Sequence, residues 1–74
     1  MFSIKVVDTS TGRPVDGARV VISFKGIMRG MSPTKYTNRS GVVHFDNDPA
    51  DCTVYVDGTE EFDGYVYGEE VIYV

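Results

Sequence analysis

Between Thr11 and Phe24 the chain turns sharply and then alternates. Gly12 and Gly17 accept positive φ without steric cost, and Pro14 fixes its own φ and has no amide to donate. The segment from Thr11 to Gly17 is therefore a bend. From Ala18 the period becomes two: Ala18, Val20, Ile22 and Phe24 fall on one face, and Arg19, Val21, Ser23 and Lys25 on the other. Only a half-buried strand needs that alternation. The same stretch speaks against a phosphate-cradling loop, because no helix follows its glycines.

One such strand cannot bury its apolar face alone, and the rest of the chain offers it partners. Phe2–Val7 alternates with Phe2, Ile4 and Val6 together. Thr34–Thr37 is a short strand, and Val42–Phe45 returns after the turn Asn38–Gly41 with Val43 and Phe45 inward. Cys52, Val54 and Val56 share the inner face of the next alternating stretch. Tyr65–Tyr67 and Val71–Val74 are short strands, with Thr59–Gly64 and Gly68–Glu70 expected as connections. No stretch has a 3.6-residue apolar period, so no long helix is expected. The predicted core is Ile4, Val6, Ala18, Val20, Ile22, Phe24, Val43, Phe45, Val54 and Val56.

A chain of 74 residues makes a single domain, 1–74. At that size about 60% of the unfolded surface is buried, so the core is thin. The lone cysteine, Cys52, cannot form an internal disulfide, and its place on an alternating strand predicts a small buried apolar residue. No apolar run reaches the length of a membrane span and no signal peptide is visible, which implies a cytoplasmic protein if the chain is complete. Charge is divided unevenly. Residues 1–39 carry all seven Lys and Arg with two acids, a net +5, and residues 40–74 carry nine acids and no Lys or Arg, a net −9. The expected arrangement is that the halves interleave and oppose their charges across strands. An acidic total of −4 argues against nucleic acid as a partner.

Candidate sites are few. The loop Lys25–Pro33 sets Ile27, Met28 and Met31 between Lys25, Arg29 and Lys35. Methionine makes adaptable contacts and arginine anchors interfaces, so Ile27, Met28, Arg29, Met31 and Lys35 are the expected interaction surface. The alternative is that these apolar side chains fold back over an open end of the core. Asp46, Asp48 and Asp51 offer clustered oxygens of the kind calcium takes, but without the glycine and closing glutamate of an EF-hand. They also suit a plain turn. Tyr55, Tyr65, Tyr67 and Tyr73 could present a sugar- or peptide-binding face, or sit half-buried on strands. His44 points outward and has no partner for metal or nucleophilic chemistry. Acid pairs such as Glu60-Glu61 lack the substrate cleft a glycosidase needs. No catalytic residue, cofactor or resident metal is expected.

Two segments carry a family resemblance: Gly12-x-Pro14-Val15-x-Gly17-Ala18-x-Val20 and Thr37-x-x-x-Gly41-x-Val43-x-Phe45. Their order and spacing, with a strand before the first and further strands after the second, resemble the carboxypeptidase regulatory-like β-sandwiches. That family is related in architecture to transthyretin-like proteins and to the B-type repeats of bacterial adhesins. The resemblance covers nearly the whole chain. It departs at Pro49-Ala50-Asp51-Cys52, where the family often has Pro-Gly-x-Tyr, and the chain is short for the family. It implies a non-catalytic module and carries over no active-site residue. The transthyretin-like hydroxyisourate hydrolases use several histidines and a terminal Tyr-Arg-Gly-Ser, whereas this chain has His44 alone and ends Val71-Ile72-Tyr73-Val74.

The expectation is an all-β, immunoglobulin-like (prealbumin-like) antiparallel sandwich of about seven short strands. Its expected role is structural or protein-binding, with another protein or a larger parent assembly as partner. The alternative is a calcium-stabilised or carbohydrate-binding surface module. An edge strand such as Val71–Val74 suits pairing within the domain or with a second copy as a homodimer.

Overall fold

The computed structural model describes residues 1–26 and 30–74. Seven strands run in order: β1 (Phe2–Val7), β2 (Arg19–Phe24), β3 (Lys35–Tyr36), β4 (Val42–Phe45), β5 (Ala50–Val56), β6 (Thr59–Val66) and β7 (Gly68–Tyr73). They form a three-stranded sheet, β4-β1-β7, and a four-stranded sheet, β3-β2-β5-β6. The described residues contain no helix. One core cluster joins the two sheets. Phe2, Ile4, Val6, Val43, Phe45 and Ile72 enter from the three-stranded sheet, and Val20, Ile22, Cys52, Val54, Val56 and Val66 from the other. Phe2 stacks on Phe45 with centroids 5.5 Å apart and meets Phe24 edge-on at 6.5 Å.

The alternation located most of this core because apolar residues fill the inward positions of β1, β2 and β5; on β1, which has a strand on either side, the outward Ser3 and Val7 are buried as well. Phe24 is half-buried at the core margin rather than inside it. Val66 and Ile72 are buried as well, at the ends where β6 and β7 fold over the core.

The all-antiparallel expectation is corrected at β7, which runs parallel to β1 from Phe2↔Gly68 to Val7↔Tyr73. The cause is the short crossover. β6 ends at Val66, Tyr67 alone bridges the sheets, and β7 begins beside the start of β1. A one-residue link leaves no room to reverse direction. Thr59–Gly64 is likewise strand, not connection: it pairs with β5 along most of its length. The reversal occurs at Asp57 and Gly58, whose φ of 50° and 85° match the tight hairpin turn that suits strand twist.

The two bends that flank β1 and β3 lock together. Gly41 has φ 75°, and a Cβ there would stand 2.6 Å from the Val6 carbonyl oxygen and 2.9 Å from Pro14 Cβ. Only glycine fits such an approach. The Val6 amide donates to the Gly41 carbonyl at 2.8 Å, and the Val15 amide to the Val6 carbonyl at 2.9 Å. The buried Thr37 hydroxyl accepts from the Ala18 amide at 2.9 Å and donates to the Val15 carbonyl. Ser32, also buried, accepts from the Ile22 amide at 2.9 Å where β3 no longer covers β2. Two hydroxyls thus satisfy backbone donors that a two-residue strand leaves over.

Candidate functional site

The outer face of the four-stranded sheet holds a groove of about 230 Å³, lined by Arg19, Val21, Met31, Thr34, Tyr55 and Gly58. Its floor follows from the pleat. Arg19 and Val21 are outward residues of β2, and Val21 lies opposite Tyr55 on β5. Met31 rises beside them because an isolated bridge ties it to Ser23. Met31 keeps 64% of its surface exposed, so it forms a wall rather than core.

The hairpin turn positions the groove's one charge. The Asp57 carboxylate accepts from the Arg19 amide at 3.0 Å, and the Asp57 amide donates to the Arg19 carbonyl at 2.8 Å. Held in this way, the Arg19 side chain runs over the turn, with Nη2 3.2 Å from where a Cβ on Gly58 would sit. Among the described residues the guanidinium makes no ion pair, the single one being Lys25 to Asp63 at 2.6 Å. Asp63 also accepts from the Thr53 hydroxyl at 2.9 Å. The Lys25 contact and then the Thr53 contact hold the Asp63 carboxyl below its usual range, and Asp63 raises Lys25 in turn.

Apolar walls, an aromatic ring, a hydroxyl at Thr34 and one unpaired guanidinium suit an apolar side chain carrying or flanked by a carboxylate. The volume lies below the roughly 300–1,000 Å³ of small-molecule pockets, which fits one inserted side chain better than a whole cofactor.

Of the expected interaction surface, Ile27, Met28 and Arg29 lie outside the described residues. Met31 enters the groove. Lys35 goes elsewhere: its Nζ donates to the His44 carbonyl at 2.7 Å and stands 5.1 Å from the centre of the Phe45 ring. It braces β3 against β4. Asp46, Asp48 and Asp51 are exposed, and no group of three or more His, Cys, Asp or Glu is placed to hold a metal among the described residues. Burial, then the neighbouring Asp51 charge, pushes the Cys52 thiol up, so it stays protonated and inert. Tyr65 and Tyr67 are exposed, their rings 6.0 Å apart.

Arg19, Val21 and Thr34 also line the groove, although no sequence motif marks them as a site. For Arg19 and Val21 the signal was present in the outward alternation of β2 beside an Asp-Gly hairpin turn, whereas Thr34, in the segment before β3, carries none. Compared with known protein families and with curated proteins, the chain matches none.

Proposed function

We propose that the chain is a non-catalytic interaction module of the immunoglobulin-like (prealbumin-like) sandwich type, akin to carboxypeptidase regulatory-like domains. It docks another protein, or its parent assembly, through the groove on the four-stranded sheet. The observation that carries this reading is Met31, exposed beside the unpaired Arg19 and the ring of Tyr55 in one concavity. An exposed methionine and a tyrosine next to an arginine make the composition of an interface centre. The groove offers shape, apolar area and one positive charge, which bind rather than react.

The family resemblance draws support from the lock between the bends. The two segments that carry it meet: Gly41 abuts Pro14 and Val15, and Thr37 bonds to Val15 and Ala18. Their residue types have a joint physical reason in this fold.

The test is a peptide-display selection on the folded domain, followed by amide NMR mapping of the enriched peptides. Binding should shift the amides of Val21, Met31 and Tyr55, and Met31→Asp should abolish it while leaving the thermal melt within a few degrees. Peptides that still bind Met31→Asp would move the contact surface elsewhere. The tyrosine pair on Tyr65 and Tyr67 favours a second reading, a carbohydrate-binding face. Oligosaccharide titrations that shift Tyr65 and Tyr67 but spare Met31 would select it.

A further inference from the structure

The two flanks of the sandwich end differently. At the β3–β4 flank other groups occupy the strand edges. Asn38 holds both main-chain groups of Val42: its amide donates to the Val42 carbonyl and its side-chain oxygen accepts from the Val42 amide, each at 3.0 Å. Lys35 Nζ donates to the His44 carbonyl, and Ser32 and Gly30 bond to Ile22 and Phe24 beyond the end of β3. The β6–β7 flank has no such cover. Among the described residues, no main-chain group of residues 59–73 is hydrogen-bonded outside its own sheet.

Of the two strands on that flank, β7 has the regular edge. β6 is broken by the extra Glu61, and a bulge disrupts a ladder. β7 keeps one register with β1 along its length. Just past it, the Val74 amide donates to the Val7 carbonyl and the Val74 carbonyl accepts from the Thr9 amide, both at 2.9 Å. The main chain of Val74 is therefore turned toward β1. Successive residues of a strand turn their main-chain groups to opposite sides, so Ile72 and Glu70 follow Val74, and Glu69, Val71 and Tyr73 turn theirs to the open edge. Val71 and Tyr73 add apolar area there, at 38% and 64% exposure.

Charge narrows the occupant. Glu69 is exposed and Glu70 half-buried on β7, and Glu60 and Glu61 are exposed on β6 beside it. Residues 40–74 contain no lysine or arginine. Lys5 lies opposite Val71 on β1 and forms an ion pair with neither glutamate of β7. A second copy offering the same edge brings the same four acids to the contact, which opposes self-pairing. Its other flank is closed in the way described above.

We infer that the open edge of β7 receives an extended, lysine- or arginine-bearing segment of another protein, which joins the three-stranded sheet as a fourth strand. Main-chain bonds to Glu69, Val71 and Tyr73 hold it, and side chains select it. In the favoured antiparallel sense its chain first meets Tyr73 and Val71, where apolar or β-branched residues fit, and then Glu70 and Glu69, where cations fit. This edge belongs to the three-stranded sheet, whereas the groove lies on the other, so the two contacts are independent.

Amide NMR with hydrogen exchange on the intact chain tests this. The probe is a short synthetic peptide with valine and threonine in its first half and lysine in its second. It should shift Glu69, Val71 and Tyr73 and slow the exchange of their amides. Salt at about 0.5 M, where screening acts within roughly 4 Å, should weaken it. Glutamate in place of the lysines should raise Kd about tenfold or more. Val71→Pro removes an amide that faces the edge and no bond to β1, so it should keep the melt and abolish binding. Glu69→Lys, at an exposed site, should keep the fold and turn the preference toward the glutamate peptide. Met31→Asp should leave binding unchanged. Shifts at Val21, Met31 and Tyr55 instead would assign the peptide to the groove and overturn the inference, as would equal affinity for the two peptides. A chain that dimerises without peptide, with protection gained at Glu69, Val71 and Tyr73, would give the edge to a second copy. No shift up to millimolar peptide would overturn the inference outright.

Discussion

Gly41 shows how a single position fixes the joint between the two bends. Its φ of 75° is open to glycine and costs another residue roughly 1–2 kcal/mol. The space is closed as well, because the nearest atom to a new Cβ is a backbone oxygen, at 2.6 Å, that cannot swing away. Strain and clash act together at this site. Gly41→Ala should lower the melting midpoint by about 10 °C or more, taking roughly 4–8 °C per kcal/mol for a domain of this size. Gly12→Ala is the control: its φ is 73° but nothing lies within 4 Å, so it should show the smaller drop from strain alone. Equal shifts for the two would mean that the turn at Gly41 is not pressed against β1. Cys52 illustrates the opposite situation, a residue type with reactive chemistry that packing makes inert.

Among the elements, the β5–β6 hairpin was the least legible in the sequence, and the reason is physical. The signal for its turn is Asp57-Gly58, but the alternation of β5 runs straight into it and reads as a longer strand. β6 then hides itself. Its pairing slips between Val54↔Phe62 and Tyr55↔Glu60, which leaves Glu61 as an extra residue. A bulge of that kind resets the period of two, and the acids on either side of it look like a loop. β1, β2 and β4 carry no such slip, so their alternation predicted both their extent and their buried faces. The groove was legible only in part for a related reason: Val21 and Tyr55 are neighbours across strands, and pairing register is invisible in one chain's local pattern. Asp57 links turn to groove. Asp57→Ala removes the bond to the Arg19 amide and leaves a non-glycine residue at positive φ. Its expected cost is about 1–2 kcal/mol, read from chemical denaturation. Asp57→Asn keeps an acceptor and tolerates that φ, so it should recover most of the loss. If Asn fares no better than Ala, the bond to Arg19 contributes nothing and the turn stands on Gly58.

For the molecule as a whole, the question is whether two sheets that share no main-chain ladder behave as one unit. Each is poor in strands, and the three-stranded sheet is held through β1 alone, since β4 and β7 never touch one another in its order. What joins the sheets is the common cluster, in which Ile22 of one and Ile72 of the other are buried to 0% and 3% exposure. A carboxylate at either place is stranded in an apolar interior with no partner, which costs several kcal/mol against a total stability of the order of 5–15 kcal/mol for a domain. Ile22→Asp and Ile72→Asp should therefore both abolish the cooperative melt, and both should collapse amide-proton protection in the two sheets together. The second substitution is the telling one, because β7 is a terminal strand reached by a one-residue crossover. If Ile72→Asp left β2, β5 and β6 protected while β1 and β4 exchanged freely, the four-stranded sheet would be stable by itself. The groove would then be carried by that sheet alone, and peptide binding there would survive the substitution.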